Sequence, residues 1–146
     1  MATAVISESD VRLFMMDKPE LNTLLRGVRW SPEEVNAALI NVVAYYNESP
    51  PFYGSYSIET FPYRYTLLCG AAGYLLRSAA INEGSNNLNY SANNISVNDK
   101  DKAEIFMRIG SMFWDEFKQK VADIKIAKNI SMAFGGAESE LMRMAR

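Results

Sequence analysis

Lys118, Lys120, Lys125 and Lys128 come nearest, by type and spacing, to a binding chemistry in this chain. They gather positive charge in the C-terminal half of a segment with helical periodicity, where the helix dipole favours cations. Two readings stand side by side. The lysines form a solvated helix face, or they line a passage where weak, non-specific contact with moving DNA suffices. Catalytic chemistry has less to work with. The sequence contains no histidine, which removes histidine acid–base catalysis, Ser-His and Cys-His nucleophiles and histidine metal ligation. Cys69 stands alone among alanines and glycines with no basic neighbour to activate it, so it reads as a packing residue. Glu33-Glu34 and Asp99/Asp101 are paired acids, but both pairs fall at expected helix N-termini, where the dipole accounts for them. Gly70-x-x-Gly73 lies inside a helical pattern with no strand before it, which suits a helix crossing and not a phosphate loop.

Composition sets the outer limits. The 146 residues are 49% hydrophobic, enough for one domain with a core of its own, and no disulfide can form within the chain. The formal net charge is −2, whereas a protein that grips duplex phosphates on its own is usually basic. The longest apolar run, Leu67 to Leu76, is about half of what a bilayer span requires, so no membrane partner is expected. Met1 to Ser9 lacks the basic and apolar regions of a signal peptide. A reducing cytoplasm, or a particle assembled there, is the expected setting.

The elements that position these residues are mostly helical. After a loose arm at Met1–Ser7, a short helix is expected from about Glu8 to Met16, burying Val11, Phe14 and Met15. Asp17-Lys18-Pro19 breaks it, and a short turn from Pro19 ends before Gly27. Ser31-Pro32-Glu33-Glu34 is a capping box with proline at the first helical position. The helix that follows buries Val35, Ala38, Leu39, Val42, Val43 and Tyr46, and Pro50-Pro51 ends it. Another helix runs from about Pro62 to Glu83, closed by Gly84. From Asp99 to about Asn129, Ala103, Phe106, Ile109, Phe113, Phe117, Val121 and Ile124 mark one helical face. That helix is about 45 Å long and longer than a compact globule of this size, roughly 38 Å across. It therefore protrudes or lies along a second subunit. Phe134-Gly135-Gly136 reads as a hinge before a short docking helix that includes Leu141 and Met142.

Two segments carry the expected partner contacts. Leu88, Tyr90, Ile95 and Val97 alternate with polar residues around Asn93-Asn94, the pattern of a half-buried β-hairpin at about 87–98. The aromatic loop with Phe52, Tyr53 and Tyr56 either folds onto its own core or presents its rings to a partner, as aromatics do at interfaces. Phe134, Leu141 and Met142 extend the partner-binding set into the tail.

A resemblance rests on an ordered set of landmarks. These are Tyr45-Tyr46-Asn47-Glu48-Ser49-Pro50-Pro51, Phe61-Pro62, Leu67-Leu68-x-Gly70-Ala71 and Leu75-Leu76-Arg77-Ser78. Asn87-Leu88-Asn89-Tyr90, Val97-x-Asp99-Lys100, Lys125, Asn129 and Gly135 through Ser139 complete it. From about Val11 to Leu141 the chain resembles small virion structural proteins of tailed bacteriophages, of the head–tail connector or neck-adaptor kind. One departure is that Ser85-Asn86, not a basic residue, precedes the Asn87-Leu88 pair.

The resemblance implies a mainly α fold: a small helical bundle with one long protruding helix and a short β-hairpin. Residues 1–134 are then a helical adaptor domain and residues 135–146 a C-terminal docking tail. It further implies a non-enzymatic subunit without cofactors, assembled in the host cytoplasm into a ring of typically twelve copies at the virion neck. The portal protein and the next neck or tail protein are the implied partners, with DNA passing through the ring. A tail or baseplate component, or a cytoplasmic helical protein-binding module, is the alternative that the same composition allows.

Overall fold

The chain is mainly α-helical. The computed structural model describes the backbone of residues 5–86, 89–92, 95–98 and 100–144, and the side chains of 5–86 and 101–134. The Met1–Ala4 part of the expected arm, Leu88, the Asn93-Asn94 corner and Asp99 lie outside the described residues. So do the side chains of Tyr90, Ile95, Val97, Leu141 and Met142. In chain order the elements are α1 (Glu8–Phe14), α2 (Pro32–Glu48), α3 (Arg64–Ser85), β1 (Asn89–Ala92), β2 (Ile95–Asn98) and α4 (Lys100–Met144). β1 and β2 pair antiparallel, with Tyr90 opposite Val97 and Ala92 opposite Ile95.

Local chemistry fixes the ends of the first two helices. The Ser7 amide donates to Asp10 Oδ2 at 2.8 Å and opens α1. Arg64 also donates to Asp10, at 2.8 Å. The amide of Ser7, with Arg64 next in effect, holds the Asp10 carboxyl down at about 2. At the other end of α1, Met16 adopts φ 56°, a left-handed residue in the position usually given to glycine. It lets the amides of Asp17 and Met16 cap the carbonyls of Arg12 and Leu13. In α2 the expected capping box is present: Glu34 N donates to Ser31 Oγ at 3.2 Å, and Ser31 N donates to Glu34 Oε2 at 2.6 Å.

The central element is α3. From Thr66 to Gly73 every residue is buried, followed by Leu75, Leu76 and Ala80. A helix apolar on all sides needs cover on all sides, and α2 and α4 supply it. A Cβ on Gly70 would meet Val42 Cγ1 of α2 at 2.5 Å and Phe117 of α4 at 2.9 Å. One on Gly73 would lie 2.8 Å from the backbone nitrogen of Trp114 and 3.1 Å from the carbonyl oxygen of Gly110. Gly110 is equally tight, since its Cβ would sit 3.0 Å from the Arg77 backbone nitrogen. The small-residue centre of α3 is a helix crossing, and the single glycine of the expected long helix is its counterpart.

Four boundaries differ from the sequence expectation, the first being that α1 ends at Phe14 and not near Met16, whose left-handed backbone closes the helix. α3 begins at Arg64 and not at Pro62, because Phe61 is buried against Tyr46 with ring centroids 5.0 Å apart. The Phe61 amide closes a turn back to Ser57 O. Gly84 lies within the last turn of α3 and does not end it; the cap is Asn86, whose amide donates to Asn82 O. The largest correction concerns α4, which passes through Gly135-Gly136 without a hinge and ends at Met144. Two glycines cost about 2 kcal/mol of helix stability, but Met132-Ala133 before them and Ala137 to Met144 after them are mostly strong helix formers with no proline. At about 1.5 Å per residue, α4 is therefore near 67 Å long and not 45 Å.

The crossing makes a sharp contrast between two helical glycines. Gly73→Ala gains helix propensity but drives a methyl into immovable backbone, so it should destabilise the fold by about 2 kcal/mol. Gly84→Ala has nothing within 4 Å of the new methyl and should stabilise by about 0.5–1 kcal/mol. Urea unfolding followed by circular dichroism separates the two.

Candidate functional site

The aromatic loop between α2 and α3 is the most elaborated site, and α4 holds it down. Phe117, Val121, Lys125 and Lys128 follow one another at helical spacing along the buried side of α4, so the two lysines continue an apolar stripe inward. Lys125 is only 2% exposed. Its ammonium donates to Pro51 O at 3.0 Å and lies 4.2 Å from the centroid of the Tyr46 ring. Lys128, half-buried, donates to the Tyr56 hydroxyl at 2.7 Å and also faces the rings of Tyr56 and Tyr63, at 4.9 and 5.5 Å. Among the described residues neither ammonium has a carboxylate at ion-pair distance.

Such an arrangement replaces water around the cations with ring faces and one carbonyl. Burial, and then the neighbouring Lys128 charge, pushes the Lys125 amine below its ordinary value of 10.5. Lys128 moves the other way: despite its burial, its hydrogen bond to the Tyr56 hydroxyl holds its amine above the ordinary range. Between the tyrosines, Tyr46 packs on Phe61 and on Tyr56, the latter at 5.7 Å. Its hydroxyl is buried with no hydrogen-bond partner among the described residues.

Asn47 completes the clamp by exchanging two 2.9 Å hydrogen bonds with the backbone of Tyr56. Tyr53 donates to Asn129 Oδ1 at 2.6 Å. Of the three aromatic residues expected at a partner surface, Tyr53 and Tyr56 are therefore turned onto their own chain. Phe52, 71% exposed, is turned outward.

The four lysines do not form one face. Lys125 belongs to the interior and Lys128 to the aromatic clamp, because both lie on the core-facing stripe of α4. The steps of three and four from Phe117 already carried that signal. Lys118 is exposed and pairs with Asp115 at 2.9 Å; Lys120 lies 5.1 Å over Tyr65, with Glu116 at 4.0 Å. These two remain on the surface, each beside an acid.

Asp17, a helix breaker by its place before Lys18-Pro19, is also a hub. Only 4% exposed, it accepts from Arg12 at 2.8 Å, Asn22 at 2.6 Å and the Arg29 amide at 2.7 Å. These bonds fix the 17–30 segment, whose outer side shows Leu21, Leu24, Leu25 and Val28; Leu24 is 87% exposed. Arg29 then bridges to Glu83 at 3.1 Å and stacks 4.4 Å from the Phe106 ring. Beside it, a cleft of about 470 Å³ opens between Trp30, Glu34 and Tyr74.

A second apolar surface runs along the far part of α4, where Ile126, Ile130, Met132 and Phe134 are all more than half exposed. Among the described residues no three acidic or thiol groups converge on a metal position. Cys69 is fully buried, and its burial pushes the thiol up. No helix of the described residues is long and apolar enough to cross a membrane.

No protein-family description, curated protein or solved structure matches this chain.

Lys125 offers a direct test of the clamp. Lys125→Met keeps the volume and removes a buried charge, so stability at pH 7 should be unchanged or about 1 kcal/mol higher. Lys125→Ala leaves a cavity and should cost about 2–4 kcal/mol. The unfolded chain holds the lysine proton up to its ordinary value, while the folded chain releases it earlier. Wild-type stability from this residue therefore rises with pH as 10.5 is approached from below. Urea midpoints of wild type and Lys125→Met should converge in wild type's favour over that alkaline range.

Proposed function

We propose that this chain is a non-enzymatic structural subunit of a tailed-phage neck, forming a homo-oligomeric ring that joins the portal to the tail. In this reading it is a small helical bundle with a protruding helix and a short β-hairpin. The observation that carries the proposal is the pair of separate apolar surfaces on one rigid frame. One is the 17–30 segment on the body; the other is the far part of α4, which extends past a body only roughly 38 Å across. Two unlike surfaces on one chain favour a heterologous, head-to-tail contact, which closes into a ring when its rotation permits. The resemblance to neck adaptors suggests twelve copies, with the portal on one side and the next neck or tail protein on the other.

The working chemistry is then geometric. The bundle sets the angle between neighbours, and the clamp keeps the aromatic loop from splaying while Phe52 reaches outward. The hairpin, with Leu88, Tyr90, Ile95 and Val97, would contact one ring face, and the helical tail with Leu141 and Met142 would dock on the portal. Lys118 and Lys120 are the lysines left to touch passing DNA, and their acidic neighbours keep that contact weak. Weak contact suits a channel through which a polyanion must slide.

The continuity of α4 sharpens the test of docking. A chain ending at Gly136 should keep the body's helical content and unfolding midpoint, but should no longer co-sediment with portal rings. Retained co-sedimentation would move portal binding away from the tail.

A further inference from the structure

We infer that the cleft between α2 and α3 takes a lysine or arginine side chain, together with its backbone, from a partner protein. Ala37 on α2 and Ala79 on α3 both line the cleft, and their small side chains leave the space between the two helices open. Its volume of about 470 Å³ lies within the range of small-ligand sites, roughly 300–1,000 Å³. The rim is ordered before anything arrives. Asp17 holds the Arg29 amide at 2.7 Å, and the capping bonds hold Glu34. Glu83 and the Phe106 ring fix the Arg29 guanidinium. Walls already in place lower the entropy lost on binding.

Charge selects the occupant first. Two carboxylates, Glu34 and Glu83, and one guanidinium, Arg29, line the cleft. Arg29 pairs with Glu83 at 3.1 Å. Glu34 has no cation at ion-pair distance among the described residues. Lys102 lines the neighbouring hollow and not this cleft. One negative charge is left over, which attracts a cation and repels a phosphate.

Hydrogen bonding adds the second requirement, through Trp30. It lines the cleft and is only 8% exposed, yet its indole N–H is not sealed from solvent and has no acceptor among the described residues. An ammonium or guanidinium offers donors alone, so a bare cation would leave this N–H unused. A basic residue within a peptide supplies both groups, a cation for Glu34 and a backbone carbonyl for Trp30. Leu75 and the Tyr74 ring, which also line the cleft, give its aliphatic stem an apolar wall. The inference concerns what the free protein binds and is independent of the ring reading.

The test is a titration of isotope-labelled full-length protein followed by nuclear magnetic resonance. Trp30 and Trp114 are the only tryptophans, so the indole region holds two signals. Trp114, packed on Tyr45 and Phe117, is the internal reference. Acetyl-glycyl-arginyl-glycinamide or its lysyl counterpart should shift the Trp30 signal at millimolar concentration and leave that of Trp114 in place. The citrulline peptide, with the shape of arginine and no charge, should bind at least about tenfold more weakly. Glu34→Gln removes the charge but keeps the capping box, which glutamine also forms. It should weaken binding of the basic peptides by a similar factor, about tenfold. Glu33→Gln, in the same turn but outside the cleft lining, should leave binding unchanged. Putrescine, a cation without a carbonyl, should bind at least about fivefold more weakly than the peptides. A Trp30 signal that stays in place with both basic peptides up to about 20 mM, well past a dissociation constant of ~1 mM, overturns the proposal. So does equal binding of the citrulline peptide or of putrescine, or an equal loss in Glu33→Gln and Glu34→Gln.

Discussion

With no side chain at Gly73 or Gly110, α3 and α4 meet backbone to backbone, and the rest of the molecule is arranged around that meeting. The Trp114 backbone lies where a Gly73 side chain would begin. This closeness lets Phe117 and Val121 reach the core and become fully enclosed. Gly70, one turn earlier, admits Val42 from α2 and the Phe117 ring together. Two helices, α2 and α4, thus converge on a third that is too short in side chain to hold them apart. Interior glycines weaken a helix by about 1 kcal/mol each, and the packing they permit offsets the loss.

The consequences run outward along α4. Once its Phe117 turn is fixed, the next three turns on the same face must also point inward, and after Val121 those turns carry Lys125 and Lys128. The chain accommodates them with tyrosine faces, a proline carbonyl and a tyrosine hydroxyl. The loop between α2 and α3 is thereby tied to α4. The ring faces and hydroxyls of the tyrosines serve as the cations' solvent, which is why so many aromatics gather in one short segment. Beyond this point α4 leaves the body, and its apolar residues change from core to surface.

Much of this was legible in the sequence, and the failures have physical causes. The buried stripe of α2, its capping box, the buried state of Cys69 and the glycine crossing all rest on local rules that tertiary contacts reinforce. By residue type the inward lysines belong on a surface, but their steps from Phe117 and Val121 place them on the core side. Gly135-Gly136 read as a hinge because glycine is a helix breaker in isolation. Strong helix formers on both sides outweigh it here. Asp17 could not be found by pattern, since its partners come from Arg12, Asn22 and the Arg29 amide, brought together only by the fold.

The frame draws Lys125 and Lys128 inward, encloses its lone thiol and leaves two unlike apolar surfaces exposed, which is the basis of the proposed assembly. The central claim is one of place, and place can be measured. Gold-labelled antibody to this chain, imaged by electron microscopy on intact and gently disrupted virions, tests it most directly. Label concentrated at the head–tail junction is the result expected of a neck ring. Label at the distal tail, or none on particles whose epitope is shown to react, would contradict it.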